Sequence, residues 1–389
     1  MRALGQRTGI APRDSACSVT RGIVWFVQFC LIVAGALFAQ IKSGPAMEAS
    51  AAPLTTGRFG QTQLDSQVRS PEQILKIRAR AEAGSARDQF LMGYAYSSGL
   101  AEPRDLAQAL VWYRKAADRA EPAAITELGR IYIHGLGVPQ DYQKGVEWLR
   151  RAAADDYAPA QTDIGLLYFR GLGVRQDYED AIRWWEKAAE QGYAPAESNL
   201  AVAYLHGMGV AADPARAVQG FRKAAEAGLQ TAQFNLASCY ESGEGVPQDL
   251  GAAADWYRKA AQQGHAGAQN NLASMYQSGR GVPQDTVRAL RLFLLATQNG
   301  NMNAAINLAQ TFRLGIGVKP DPALAYMWLQ VASDGGEDVD AALHTASSEI
   351  SEGQLAQARQ QAEAWRSQHH LERAASAVAI SESRALSSR

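Results

Sequence analysis

The sequence predicts an all-α protein, a right-handed α-solenoid of seven helix-turn-helix repeats of 36 residues each. Three residue types recur at this constant spacing, and the seven copies fill residues 88–339 without insertion or deletion. Each copy contains two segments whose apolar residues follow a helical period. One helix pair cannot bury its apolar face alone, so the copies are expected to stack. The recurring residues are Tyr96, Tyr132, Tyr168, Tyr204, Tyr240 and Tyr276, continued by Phe312; Gly99, Gly135, Gly171, Gly207, Gly243, Gly279 and Gly315; and Asp105, Asp141, Asp177, Asp213, Asp249, Asp285 and Asp321.

The composition agrees with a folded, mainly helical chain and excludes several protein classes. Of the 389 residues, 47% are hydrophobic and 20% are charged, which excludes a disordered polyelectrolyte. The formal net charge of −1 leaves no basic excess for binding nucleic acid. The three cysteines form no Cys-x-x-Cys pair, so the sequence predicts neither a disulfide framework nor a zinc site.

The N-terminal region is predicted to be a targeting segment. Residues 1–21 form a basic n-region, and residues 22–41 form an uncharged apolar run. This order is typical of a signal peptide, but a run of this length also spans a membrane as an uncleaved signal anchor. Both alternatives export the repeats: they are periplasmic or secreted after cleavage, or held outside the cytoplasm by an inner-membrane anchor. Residues 42–70 lack a helical period and are expected to be a flexible linker.

The copy at 160–190 shows how each repeat is expected to fold. Its first helix ends at Gly171, because glycine adopts the left-handed backbone conformation at little cost. Asp177 is predicted to cap the second helix, 178–190, by accepting hydrogen bonds from its first backbone N–H groups. Gly192, in phase with four later glycines, is expected to close that helix. The second helix is expected to bury Ala181, Trp184, Trp185 and Ala188.

Small residues in the middle of the first helices predict close helix packing. Gly129 and Gly165 lie at positions where glycine is unfavourable for a helix. The later copies carry alanine at the same position. Close approach of a neighbouring helix would explain both residue types.

Both ends of the repeat array have the features of caps. Residues 71–87 are predicted to form an N-terminal capping helix that begins after Ser70. Residues 340–370 are predicted to form C-terminal capping helices, and Ser351 and Gln354 have the spacing of a capping box. Residues 371–389 lose the helical period and are expected to be a disordered tail.

The repeat pattern resembles the Sel1-like repeats, which are related to tetratricopeptide repeats. The motif A-x-x-x-L-G-x-x-Y-x-x-G-x-G-V-x-x-D-x-x-x-A-x-x-W-Y-x-K-A-A matches residues 232–261 (AQFNLASCYESGEGVPQDLGAAADWYRKAA) nearly throughout. The resemblance implies an interaction scaffold or signalling adaptor, and the leading apolar run is similar to that of bacterial exported members. It also implies a context in envelope assembly, surface polysaccharide control or regulation of a sensor kinase.

The sequence predicts no enzyme, cofactor or metal site. The recurring aspartates are explained as helix caps, and His134 and His206 are interpreted as residues at helix carboxyl ends. Cys239 is interpreted as a small buried residue. A wall-active hydrolase or β-lactam-binding enzyme is the alternative, since cysteine-rich relatives have been linked to β-lactam binding. Those relatives carry a cysteine pair in each repeat, which this chain lacks.

One series of polar residues suggests a partner-binding groove on the first helices. An asparagine recurs at one repeat position, and acidic residues precede it in the series. On a concave face, asparagine can donate to and accept from a peptide backbone. Alternatively, each asparagine bonds a loop carbonyl of the adjacent copy. The expected occupant is a protein or peptide, with no nucleic acid or small-molecule substrate, and membrane anchoring through 22–41 stays open. The predicted groove residues are Glu127, Arg130, Asp163, Arg170, Asn199, Asn235, Asn271 and Asn307.

Overall fold

The computed structural model describes residues 58–100 and 103–368, which all belong to one compact unit within residues 53–389. Every regular element in this described part is an α-helix. The helices are α1 (Arg58–Gln67), α2 (Pro71–Glu82), α3 (Ala86–Ser98), α4 (Leu106–Asp118), α5 (Pro122–His134), α6 (Tyr142–Ala154), α7 (Ala158–Arg170), α8 (Tyr178–Glu190), α9 (Ala194–His206), α10 (Pro214–Glu226), α11 (Gln230–Ser242), α12 (Leu250–Gln262), α13 (Ala266–Ser278), α14 (Thr286–Gln298), α15 (Met302–Leu314), α16 (Pro322–Asp334), α17 (Asp340–Ser348) and α18 (352–368).

Helices α3 to α16 form seven consecutive pairs, which confirms the predicted α-solenoid. Each first helix packs most extensively against the second helix of its own pair, and each second helix packs against the next first helix. Because every helix in the array has 13 residues, successive pairs present the same side-chain positions to one another. The buried side chains of neighbouring pairs therefore form continuous hydrophobic clusters.

The predicted helix caps are confirmed in all seven copies. Each recurring aspartate accepts a hydrogen bond from a backbone N–H three residues later, at 2.9–3.0 Å. Each recurring glycine that ends a first helix has a left-handed backbone, for example Gly171 with φ of 70°. The loop between these two caps is held by a glutamine in four copies, such as Gln176, whose Nε2 donates to the Phe169 carbonyl at 2.9 Å.

The turn that follows each second helix also needs a left-handed residue. Gly192 occupies it with φ of 73°, as predicted. The first two copies place Ala120 and Asp156 at the same position, with φ of 58° and 55°. A side chain is disfavoured in this conformation, so these two turns carry backbone strain.

The close helix approach predicted at the small residues is confirmed. A Cβ atom added to Gly165 would lie 2.6 Å from Cδ1 of Trp185, and one added to Gly129 would lie 2.8 Å from Cγ of Leu149. Trp185 is fully buried, as predicted, whereas Trp184 is only half-buried and differs from the prediction. Trp184 points to the helix surface, where the Lys187 ammonium lies 4.7 Å from its ring centroid.

The ends of the array are capped by helices. The capping box of α2 forms between Ser70 and Gln73, and the predicted box between Ser351 and Gln354 forms ahead of α18. The expectation of a flexible linker is wrong for its last part, because α1 forms there and the Tyr94 hydroxyl donates to Asp65 Oδ1 at 2.7 Å.

The predicted n-region, the apolar run 22–41 and the tail 371–389 lie outside the described residues. Among the helices that the structure describes, none combines the length and the apolar character needed to cross a membrane.

Candidate partner-binding face

The predicted groove residues lie on the first helices, and the structure links these helices directly from one repeat to the next. Glu127, Asp163 and the four asparagines occupy the sixth position of their helices. Side chains near this position bridge neighbouring first helices: Arg130 reaches Asp163, and Asn307 reaches Asn270. We call the surface formed by positions six, nine and thirteen of the first helices the first-helix face.

The N-terminal part of this face carries a buried ion cluster. The Arg130 guanidinium donates from Nε to Asp163 Oδ2 and from Nη1 to Glu127 Oε1, each at 2.7 Å. Arg130 and Asp163 are 4% and 6% exposed. Arg130, one of the predicted groove residues, is therefore not exposed on this face, because its guanidinium joins the second repeat to the third.

One guanidinium faces two carboxylates in this cluster, which affects their protonation. Burial raises the pKa of Glu127, and the nearby Asp163 charge adds to this, while Arg130 opposes it. Burial also raises the pKa of Asp163 against the attraction of Arg130. The charged form of each carboxylate thus depends on Arg130, and removing the guanidinium would leave buried negative charge without a partner.

The four asparagines are half-buried, and they differ in their partners. The Asn271 amide donates to the Tyr257 hydroxyl at 3.0 Å, and the Asn307 amide donates to Asn270 Oδ1 at 2.9 Å. Neither bond reaches a loop carbonyl, so the alternative interpretation is wrong for these two residues. Asn199 and Asn235 make no side-chain hydrogen bond to the described residues, and their amides remain available on the first-helix face.

The surroundings of this face change along the array. In the second to fourth repeats, position nine is the buried Arg130, the half-buried Leu166 and the buried Val202. In the fifth to seventh it is the half-buried Ser238 and Ser274 and the exposed Gln310. Arg170 is half-buried at the carboxyl end of α7, where burial lowers its pKa. The first-helix face is therefore ionic and closed in the second and third repeats, and uncharged and more open in the fifth to seventh.

A row of arginine–tyrosine pairs was missed by sequence reasoning. In four first helices the recurring tyrosine accepts a hydrogen bond from an arginine 18 residues earlier on the preceding second helix; for example, Arg222 Nη2 donates to the Tyr240 hydroxyl at 2.8 Å. The same bond forms at Arg78, Arg114 and Arg150. Glu186 and Leu294 interrupt this row. The 18-residue spacing was visible in the sequence and is the signal that could have revealed the row.

Two further residues with reactive or titratable side chains lie on or beside the first helices: Cys239 is buried and His265 is half-buried. Burial raises the pKa of the Cys239 thiol to about 12, so this cysteine is a packing residue, as expected. His265 stacks on Phe234 with ring centroids 4.6 Å apart, and its Nδ1 accepts the Ala268 N–H at 3.1 Å. Burial lowers the pKa of His265 to about 4, which keeps this accepting nitrogen unprotonated. Within the described residues no three His, Cys, Asp or Glu side chains are grouped so that they could hold a metal ion.

The Sel1 repeat model matches the chain at residues 86–120, 122–157, 158–193, 194–229, 230–265, 266–301 and 303–337. The chain belongs to the Sel1 repeat family.

Two solved structures are similar over most of the repeats. One is a protective antigen present in uropathogenic Escherichia coli strains, with an SLR fold: it is 35% identical with a TM-score of 0.56, and the match covers 67% of this chain and 57% of that one. The other is a Sel1 repeat protein from Oxalobacter formigenes: it is 31% identical with a TM-score of 0.55, covering 63% of this chain and 96% of that one. Among curated proteins no match is found.

Sel1 repeats and related helical solenoids are typically protein–protein interaction scaffolds and generally lack enzymatic activity. Membership of the Sel1 repeat family therefore indicates a fold of the kind that generally binds protein partners. It does not specify the partner or the surface that binds it.

Proposed function

We propose that this protein is a non-enzymatic scaffold that binds a protein partner as an extended peptide through the first-helix face. The observation that carries this proposal is the pair of half-buried asparagines, Asn199 and Asn235, whose amides make no side-chain hydrogen bond to the residues that the structure describes. Their equivalents in later repeats, Asn271 and Asn307, use the same amide to bond neighbouring side chains. An amide can satisfy both the C=O and the N–H of a peptide group, so the free pair fits a backbone ligand.

The uncharged character of the adjacent surface supports a ligand that is read through its backbone. Ser238 and Ser274 add hydroxyl groups beside the asparagine positions, and both are half-buried. A rigid array of stacked helices binds without much ordering of its own side chains, which reduces the entropic cost of association. The ion cluster at Arg130 stabilises the repeat joint beside this surface.

We further propose that the repeats function outside the cytoplasm, in the bacterial cell envelope, in the assembly of the envelope or its polysaccharide or in signalling. The basic n-region followed by the apolar run 22–41 supports export by either a cleaved signal or an anchor. Determination of the mature N-terminus by mass spectrometry distinguishes cleavage from anchoring.

The hydrolase alternative gains no support from the site. The single thiol of the described residues, Cys239, is buried with a raised pKa, so it is a poor nucleophile.

Site-specific crosslinking tests the binding face. A photo-crosslinking residue is placed at Ser238 on the first-helix face or at the exposed Glu147 on a second helix, and partners are recovered from the native membrane and envelope fraction. We expect a partner that is crosslinked from position 238 and not from position 147. In the variant Asn199→Ala/Asn235→Ala the yield of this crosslinked product should fall at least tenfold, whereas the exposed control Asn303→Ala should give the wild-type yield. Equal recovery from all variants would refute the proposed face.

A further inference from the structure

Helix α14 differs from the other second helices on its outer face. Four second helices carry two adjacent cations near the carboxyl end, namely Arg114-Lys115, Arg150-Arg151, Arg222-Lys223 and Arg258-Lys259. At the same positions α14 carries Leu294 and Leu295, which are 36% and 45% exposed. Val287, two turns earlier on this helix, is 60% exposed. We call these three residues the α14 stripe.

The stripe coincides with the loss of a polar contact between repeats. In three of these four helices, the first cation of the pair donates to the tyrosine of the next first helix, as Arg222 does to Tyr240. In α14 the donor position is Leu294, and the tyrosine position is Phe312, which packs on the hydrophobic core. Both members of the pair are apolar, so this joint exposes hydrocarbon where the others expose guanidinium groups.

The α14 stripe continues an apolar surface that the C-terminal helices cover. On α16 the residue equivalent to Leu295 is Val331, which is 2% exposed. It belongs to the same buried cluster as Ala346 of α17 and Ala362 of α18. Helix α18 packs on α16, where the ring centroids of Trp328 and Trp365 lie 5.6 Å apart, and the apolar position at Val331 is exposed one repeat earlier as Leu295.

The chain leaves the described part close to this uncovered surface. Near the end of α18, the Arg366 Nε lies 3.1 Å from Asp334 Oδ2 at the carboxyl end of α16. Neighbouring second helices meet at their carboxyl ends, as shown by Arg151, whose Nη2 donates to the Ala117 carbonyl at 2.9 Å. The carboxyl end of α14, with Leu294 and Leu295, is therefore one second helix along the array from the point where the chain continues.

We propose that the C-terminal segment, residues 369–389, docks on the α14 stripe. Its uncharged run 374–380 (AASAVAI) supplies apolar side chains. The five residues before this run reach up to about 17 Å when extended, which is enough to span one helix spacing. Three exposed side chains are far short of the ~800 Å² per partner of a stable dimer, so the stripe fits a short segment of the same chain better than a second copy. This docking lies on the second helices and goes beyond the function proposed for the first-helix face.

Limited proteolysis of the full chain tests the docking. Trypsin cleaves after Arg373 and Arg384, which flank the apolar run. The variant Leu294→Arg/Leu295→Lys introduces the pair that α12 already carries, so the array should keep its far-UV CD signal and melting temperature. We expect initial cleavage at these two arginines to be about tenfold faster in the variant than in the wild type, because opening of the docked segment controls cleavage.

A matched control shows whether removing any exposed leucine changes the cleavage rate or only removing one from the α14 stripe. Leu75 is 64% exposed on α2, at the other end of the array from the stripe. Leu75→Lys removes an exposed leucine in the same way and should leave the cleavage rate unchanged. Val287→Lys, at the far end of the stripe, should give an intermediate rate and serves as a second test should the double variant melt early.

Two results would overturn the inference. The first is equal cleavage at Arg373 and Arg384 in the wild type and in both stripe variants. The second is sedimentation of the full chain as a dimer that dissociates in Leu294→Arg/Leu295→Lys without any change in cleavage, which would assign the stripe to a second copy.

Discussion

Replacing Gly165 with alanine is expected to destabilise the third repeat, although alanine is the better helix former by about 1 kcal/mol. Gly165 lies in the middle of α7, where the side chain of Trp185 from α8 covers it. An added Cβ would lie 2.6 Å from Cδ1 of the indole and 3.0 Å from the Ala181 carbonyl oxygen. Both neighbours belong to the same second helix, so neither can move away alone.

The size of the effect follows from how firmly the indole is held. Carbon atoms in contact are separated by about 3.5 Å, so the ring must move by roughly 1 Å. Trp185 is fully buried, and its Nε1 donates to the Thr162 carbonyl at 3.1 Å. Overpacking costs about 1–3 kcal/mol and weakening a buried hydrogen bond costs a similar amount. After the gain in helix propensity, we expect a net loss of roughly 2–4 kcal/mol in the free energy of unfolding.

The measurement combines urea unfolding, followed by far-UV CD, with hydrogen exchange of peptides from 158–190. Local exchange is needed because a repeat array can open in one region before the rest unfolds. Gly251→Ala is the matched control, since a Cβ there meets only Asp249 Oδ1 at 3.4 Å. It should leave stability unchanged or raise it by up to about 1 kcal/mol. If Gly165→Ala is as stabilising as Gly251→Ala, the close-packing explanation is refuted.

Three further predictions concern a turn, a buried charge and a histidine. Ala120→Gly should raise the free energy of unfolding by about 0.5–1 kcal/mol, because the left-handed backbone at this position is strained for alanine; an unchanged urea midpoint would contradict this. Arg130→Met should cost about 3–5 kcal/mol, because it leaves the Asp163 carboxylate buried without a partner, and Arg130→Met/Asp163→Leu should recover most of this loss in the same assay. The pKa of His265 is about 4 when folded and 6.5 ordinarily, so unfolding takes up a proton and stability falls as the pH drops from 6.5 to 4; His265→Asn, which copies the cap made by Asn301, should reduce that slope in melts recorded across this pH range.

The features that the sequence predicted correctly are those that depend on local backbone geometry. Asp177 caps its helix because its short side chain reaches a backbone N–H three residues later, wherever the helix then packs. The rotation of a helix against its neighbour is a tertiary property, so Trp184 and Trp185 could not be told apart by their adjacent positions. Helix α1 was missed because it lacks a clear apolar period and is held by contacts such as that of Asp65 with Tyr94.

The candidate site was only partly predictable for the same reason. The 36-residue period correctly placed Arg130 in phase with Ser238 and Gln310. Equal phase does not imply equal exposure, because an arginine that finds a carboxylate on the next first helix turns inward. Asp163 provides that carboxylate in the third repeat, whereas the fourth to seventh repeats have asparagine at the same position. Pairing between repeats, which decides the exposure, depends on two residues 33 positions apart and cannot be read from one phase.

The contrast between charged and neutral residues at position six has a physical consequence for binding. A carboxylate there must be neutralised inside the protein, so Glu127 and Asp163 are committed to Arg130. An asparagine needs no counter-charge, and exposing or burying its amide costs little as long as one hydrogen bond is made. Asn271 and Asn307 make that bond within the protein, whereas Asn199 and Asn235 make none to the described residues. We therefore expect a bound peptide backbone to gain most at the fourth and fifth repeats, which carry this pair.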